Sequence, residues 1–134
     1  MKRRLPVLIS SSALALLTAG AGLSFAHHSV SATYITGKSV RIEGTLKEFI
    51  WRNPHSFIRI DVTEKDGKVE LWSLEWGSSS QLSASKYPVS RTSIKVGDRI
   101  VAGGEPRRDP SVKGLRVFSI KRPVDGWTWE GIVD

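Results

Sequence analysis

Val69-Glu70-Leu71-Trp72-Ser73-Leu74-Glu75-Trp76-Gly77-Ser78-Ser79-Ser80-Gln81-Leu82 is the stretch that decides the fold. Its first part alternates as a β-strand does, with Trp72, Leu74 and Trp76 on one face and Glu70 and Glu75 on the other. Gly77 ends that strand. A serine N-cap then opens a short helix over Gln81 to Lys86 that holds Leu82 and Tyr87, and Pro88 stops it. A helix at this point has strands on both sides of it, and their number gives the architecture.

Upstream, Lys65-Asp66-Gly67-Lys68 is a hairpin turn, because Asp-Gly tolerates the positive φ of tight hairpins. Before it, Ser56 to Glu64 alternates Ile58, Ile60 and Val62 against Arg59 and Asp61. Another strand begins at Ser39, with Val40, Ile42 and Leu46 on one parity. Gly44 marks a bulge or bend there, since beyond it the apolar weight shifts to Phe49 and Trp51. Arg52-Asn53-Pro54-His55 breaks that strand. Downstream, the turn Val96-Gly97-Asp98 leads into a fourth strand at Arg99 to Ala102. Gly103 to Gly114 reads as a polar loop, and Leu115 to Lys121 as a fifth strand. The chain is therefore all-β, a small five-stranded OB-like barrel with one short helix between strands 3 and 4. Such barrels bind ligands on strands 2 and 3 and in the loops joining strands 1–2 and 4–5. Here those loops are 52–55 and 103–114.

The flanks set the compartment. Lys2-Arg3-Arg4 precedes an uncharged run from Leu5 to Ala26, with small residues Ser24 and Ala26 at −3 and −1 of a cut site. Residues 1–26 are thus expected to be a cleaved signal peptide, leaving no stable membrane anchor and a periplasmic or secreted protein that starts at His27. Residues 27–38 form an N-terminal arm, 39–122 the barrel domain, and 123–134 a C-terminal tail in which Trp127 and Trp129 cover a sheet edge. Cleavage removes three positive charges from a net +7 and leaves +4. Both signs are spread along the chain, so no nucleic-acid partner is expected. The sequence has no cysteine. That excludes disulfides, a thiolate metal site and a cysteine nucleophile.

Four segments carry a resemblance: Ala26-His27-His28-Ser29, Asn53-Pro54-His55-Ser56, Trp72-Ser73-Leu74-Glu75 and Gly97-Asp98. In these the chain resembles a family of small exported bacterial proteins classed as a domain of unknown function. The family usually has Phe after His-His-Ser and Asp-Gly in the late loop, where this chain has Val30 and Asp109-Pro110. The resemblance implies an exported β-rich domain and supplies no reaction.

All three histidines lie in a loop or at the expected new N-terminus. The α-amine and Nδ1 of His27 can chelate one metal ion in a six-membered ring, and His28 and His55 can add imidazoles. Nitrogen ligands of this kind suit Cu(II) or Zn(II), with copper favoured. Twelve arm residues reach the 52–55 loop easily at roughly 3.3 Å each. Asn53-Pro54-His55-Ser56 is equally a turn whose Asn53 and Ser56 bond the backbone. A second set, Trp51, Arg52, Asn53, His55, Glu75, Arg107 and Arg108, lies where the barrel binds ligands and suits a small ligand or anion. Within it, Glu75 is either an outward charge or an inward partner for Arg52. No Gly-x-Ser-x-Gly, Walker A or Gly-x-Gly-x-x-Gly segment is present, so an enzyme is the least expected outcome. Two functions follow. One is an exported binding protein that holds Cu or Zn through His27, His28 and His55. The alternative is an envelope-protein interaction or small-ligand module without metal.

Overall fold

A computed structural model of the chain describes residues 30–133. The expected signal peptide and the His27-His28 pair lie outside them. The described strands are β1 (Val40–Ile50), β2 (Phe57–Thr63), β3 (Val69–Glu75), β4 (Arg99–Pro106), β5 (Gly114–Arg122) and β6 (Trp127–Glu130). The short helix α1 (Ser79–Ser83) lies between β3 and β4. Hydrogen-bonded neighbours run β3-β2-β1-β4-β5-β6, and a parallel β3–β5 pairing closes the first five strands into a barrel. The expected OB-like barrel with its inter-strand helix is therefore the fold.

The barrel closes because β1 bends. At Gly44 a Cβ would lie 2.4 Å from the Asp61 carbonyl oxygen, so glycine allows β1 to cross close over β2. The extra residue itself comes three positions later. Leu46 pairs with Ile60 and Glu48 with Arg59, which leaves Lys47 as the bulge. This insertion moves the inward positions from Leu46 to Phe49 and Trp51, both packed on the core. The turn before β4 is stitched to the same spot, where Leu46 N–H donates to the Asp98 carbonyl and Gly97 N–H to the Leu46 carbonyl.

Inside, Ile58, Ile60, Leu74, Leu82, Ile100, Leu115 and Ile120 are fully buried. The Ser78 hydroxyl caps α1 by accepting from Gln81 N–H, while the Gln81 side chain accepts from Ser78 N–H. The helix ends at Ser83, earlier than the expected Lys86. Tyr87, which the expected helix held, lies beyond the end of α1 and is exposed. Val89 and Ile94 from the following loop fill the barrel end. The fourth strand is longer than expected and runs through Gly103 and Gly104 to Pro106, so the loop shortens to 107–113. A Cβ on Gly104 would sit 1.9 Å from the Arg116 carbonyl oxygen. The glycine pair permits close strand contact here, where it suggested a loop in the sequence. Trp129 does more than cover an edge. It lies on β6, paired with β5, and is buried with its ring at 79° to that of Trp76 and 5.0 Å away. Finally, Glu70 shares the even positions of β3 with Trp72 and Leu74, so it does not face the way Glu75 does.

Candidate functional site

The loop after β1 is closed on itself. The Ser56 hydroxyl donates to the Arg52 carbonyl, and Arg52 N–H donates back to that hydroxyl. The Asn53–Pro54 peptide bond is cis. Asn53 turns to α1: its Oδ1 accepts from the Ser79 hydroxyl and from Ser80 N–H, and its Nδ2 donates to the Ser80 hydroxyl. Arg52 stacks on Phe57 at 5.4 Å and donates to the His55 carbonyl. Ser56 thus bonds the backbone within the loop, whereas Asn53 bonds across to α1.

His55 Nδ1 lies 3.1 Å from Glu75 Oε1, at the end of β3. The other carboxylate oxygen of Glu75 accepts a hydrogen bond from the Tyr34 hydroxyl at 2.5 Å. The partners of Glu75 are thus His55 and Tyr34, where the sequence offered Arg52. The His55 side chain is 43% exposed and that of Glu75 23%. On its inner side the imidazole borders a cavity of about 30 Å³ with Val30, Tyr34, Glu75, Arg116 and Val133. That is the space of about one water molecule, too little for an organic ligand. On its outer side His55 borders a shallow groove of about 390 Å³ with Asn53, Pro54, Ser78, Ser80 and Gln81.

Residues 30–38 of the arm are docked. Residues 30–33 make one helical turn, and Tyr34 forms an isolated bridge with Arg107. Ile35 N–H donates to the Pro106 carbonyl, and Arg108 N–H to the Thr33 carbonyl. The Arg108 guanidinium donates to the carbonyls of Ser31 and Tyr34. Gly37 N–H donates to the buried Glu105. Arg107 lies over the Tyr34 ring at 5.4 Å. Burial first, then the hydrogen bond and charge of Glu75, hold the Tyr34 phenol well above the usual tyrosine range, against the opposing pull of Arg107 and Arg116.

The structure thus brings His55 and Glu75 together and keeps Arg52 and Asn53 beside them on one loop. Trp51 is half-buried against Phe49 and the core. Arg107 and Arg108 lie at the docked segment and engage it. Tyr34, Glu105, Arg116 and Val133 escaped the sequence reading. A lone aromatic in a polar stretch was a signal for Tyr34, and nothing comparable marked the other three. Among the described residues no group of three His, Cys, Asp or Glu is arranged to hold a metal ion. His27 and His28 lie outside those residues.

The sequence matches the model of a family described as a family of unknown function (DUF6152) over residues 15–117. The match spans more than half of the chain, and the protein belongs to this family. No curated protein matches the sequence.

Proposed function

We propose that this member of the DUF6152 family is a small exported, periplasmic binding protein that holds Cu(II) or Zn(II) with His27, His28 and His55. The observation that carries the reading is the contact between Glu75 and His55 Nδ1. A carboxylate at that nitrogen takes its proton as a hydrogen bond and leaves the lone pair on Nε2, which is how outer-shell carboxylates prepare metal-binding histidines. Glu75 is therefore a supporting group and the imidazole the ligand. Chain geometry supports the other two ligands. Val30 borders the same small cavity as His55. His28 precedes Val30 by two residues and His27 by three, a reach of at most about 7 and 11 Å. Docking of residues 30–38 beside His55 shortens the span that the twelve-residue arm would have to bridge.

Calorimetric titration of protein processed to begin at His27 tests this. One tight Cu(II) site per chain is expected, with Zn(II) weaker. His55→Ala is expected to lower the affinity at least about tenfold, because it deletes a ligand where even an outer-shell change costs that much. Residues left ahead of His27 block the α-amine and are expected to weaken binding as well. Correctly processed protein that binds neither ion tightly refutes the reading.

A second reading, a small-anion site, is favoured by a different groove. Lys38, Arg107, Arg108 and Lys113 line about 270 Å³ beside Trp72, with no carboxylate among the lining residues. Lys113 already pairs with Glu70, and Arg108 donates to the docked segment, which leaves fewer donors for an anion. Quenching or shift of Trp72 fluorescence by inorganic phosphate, absent in Arg107→Ala, is the corresponding test. No response at Trp72 rules this reading out.

A further inference from the structure

Glu75 touches two parts of the chain that the sequence keeps 21 residues apart, Tyr34 of the docked segment and His55 of the loop. Each carboxylate oxygen serves one of them. Tyr34 has little freedom to turn away. It is 3% exposed, its ring lies under Arg107, and its backbone is held at both ends. Its N–H donates to the Val30 carbonyl, and its own carbonyl accepts from Arg108. The hydroxyl is therefore a fixed donor, and it fixes the rotamer of the Glu75 carboxylate. Glu75 alone, with a side chain 23% exposed, has solvent as an alternative.

We infer that Tyr34 and Glu75 are positioning residues for His55: they select the imidazole tautomer with the proton on Nδ1 and the lone pair on Nε2, and they tie that choice to the docking of residues 30–38. An imidazole free in water prefers the opposite tautomer, so the selection is a measurable property of the metal-free protein. The inference rests on the metal-binding reading only for its consequence, a ligand set in place before the metal arrives. Binding then carries less of the cost of ordering the loop. The same hydrogen bond makes residues 30–38 part of the site, because undocking them releases the carboxylate that holds His55.

The test combines ¹⁵N NMR of the His55 ring in metal-free protein with Cu(II) and Zn(II) titration, on wild type, Tyr34→Phe, Glu75→Gln and Glu75→Ala. Phenylalanine at 34 retains the buried ring and its stacking with Arg107, and the thermal midpoint reports that the barrel is intact. Wild type is expected to show a protonated Nδ1 and a bare Nε2. Tyr34→Phe is expected to lower the population of that tautomer and to weaken metal binding about tenfold, the low end of the range for outer-shell changes. Glu75→Gln, which keeps an oxygen facing Nδ1–H, is expected to retain more of both than Glu75→Ala. A tautomer and an affinity indifferent to Tyr34→Phe overturn the inference and leave the metal reading standing. Wild type that binds no metal, but whose Nδ1-protonated tautomer is lost in Tyr34→Phe, refutes the metal reading and upholds the positioning.

Discussion

Trp129→Ala tests whether the last strand belongs to the core. Trp129 is 1% exposed, meets Trp76 edge-on at 5.0 Å, and its indole N–H donates to the Ser85 hydroxyl. A buried tryptophan removes about 200 Å² from water, which at about 25 cal/mol/Å² amounts to ~5 kcal/mol. Compactness of the unfolded chain trims this to ~4 kcal/mol. Loss of the aromatic pair adds ~1 kcal/mol, and the Cβ that alanine keeps buried takes back a similar amount. The expected destabilisation is therefore about 4 kcal/mol, within the usual range for Trp→Ala in a core. A domain of this size has a total stability of about 5–15 kcal/mol, so the variant is severely weakened. Trp127 is the internal control. It is two residues away on the same strand, only partly buried, and stacked on Arg122 at 5.5 Å. Trp127→Ala is expected to cost about 1 kcal/mol. Urea unfolding followed by far-ultraviolet circular dichroism measures both without depending on tryptophan emission. Equal losses in the two variants, or a larger loss at Trp127, refute the placement of Trp129 in the core.

Two further outcomes follow from other parts of the barrel. Gly104→Ala sets a Cβ against backbone, 1.9 Å from the Arg116 oxygen and 2.8 Å from its carbonyl carbon, so β4 and β5 must part. A loss of about 3 kcal/mol is expected in thermal unfolding, and a change under about 1 kcal/mol contradicts the close approach. Asp125 offers a pH test. The Arg122 guanidinium first, and then the Trp127 backbone N–H, hold its carboxyl below the usual carboxylate value of 3.8. A lowered folded value means that its contribution is full above the unfolded value and fades as pH falls through the folded one. Asp125→Asn is therefore expected to be less stable than wild type at neutral pH and to converge with it in strong acid. A difference that persists at the acid end contradicts this origin.

What the sequence made legible has local causes. Gly67 has a φ of +85° in the Lys65–Lys68 hairpin, a conformation that Asp-Gly announces. The serine run announced an N-cap, and Ser78 fills that role, opening the helix two residues before the expected Gln81. The misses have non-local causes. Gly103-Gly104 signals a loop by composition, but its role is set by Ser119 and Arg116 across the strand gap. The docking of residues 30–38 rests largely on the segment's own backbone groups, which bond the Pro106 carbonyl, the Glu105 carboxylate and the Arg108 N–H and guanidinium and leave no periodicity behind. Tyr87 was expected on the short helix, yet it is exposed, while Val89 and Ile94 beyond Pro88 are buried. The path of the chain after Pro88 decides this.

The candidate site follows from strand register. β2 and β3 pair from Thr63↔Val69 beside the hairpin to Phe57↔Glu75 at the far end. The ladder then continues into the loop, with Ser56 N–H donating to the Gly77 carbonyl and Trp76 N–H to the Ser56 carbonyl. Phe57 and Glu75 are opposite one another and share a face, and His55 shares the parity of Phe57. His55 and Glu75 are therefore diagonal neighbours across two strands, a separation that long side chains bridge. A slip of one residue would turn Glu75 inward and bring Trp76 out. The core forbids that slip, because Trp76 is 1% exposed and wedged between Phe49 and Trp129. Apolar alternation on β3 set Glu75 on the face opposite Leu74 and Trp76, but left it either an outward charge or an inward partner for Arg52. Its partners depended on the register that the hairpin begins and Trp76 locks, and on Tyr34, which reaches the same carboxylate from a segment with no strand pattern. The chemistry of His55 is in this sense a product of the packing of Trp76, and a change that loosens this tryptophan should disturb the imidazole without touching it.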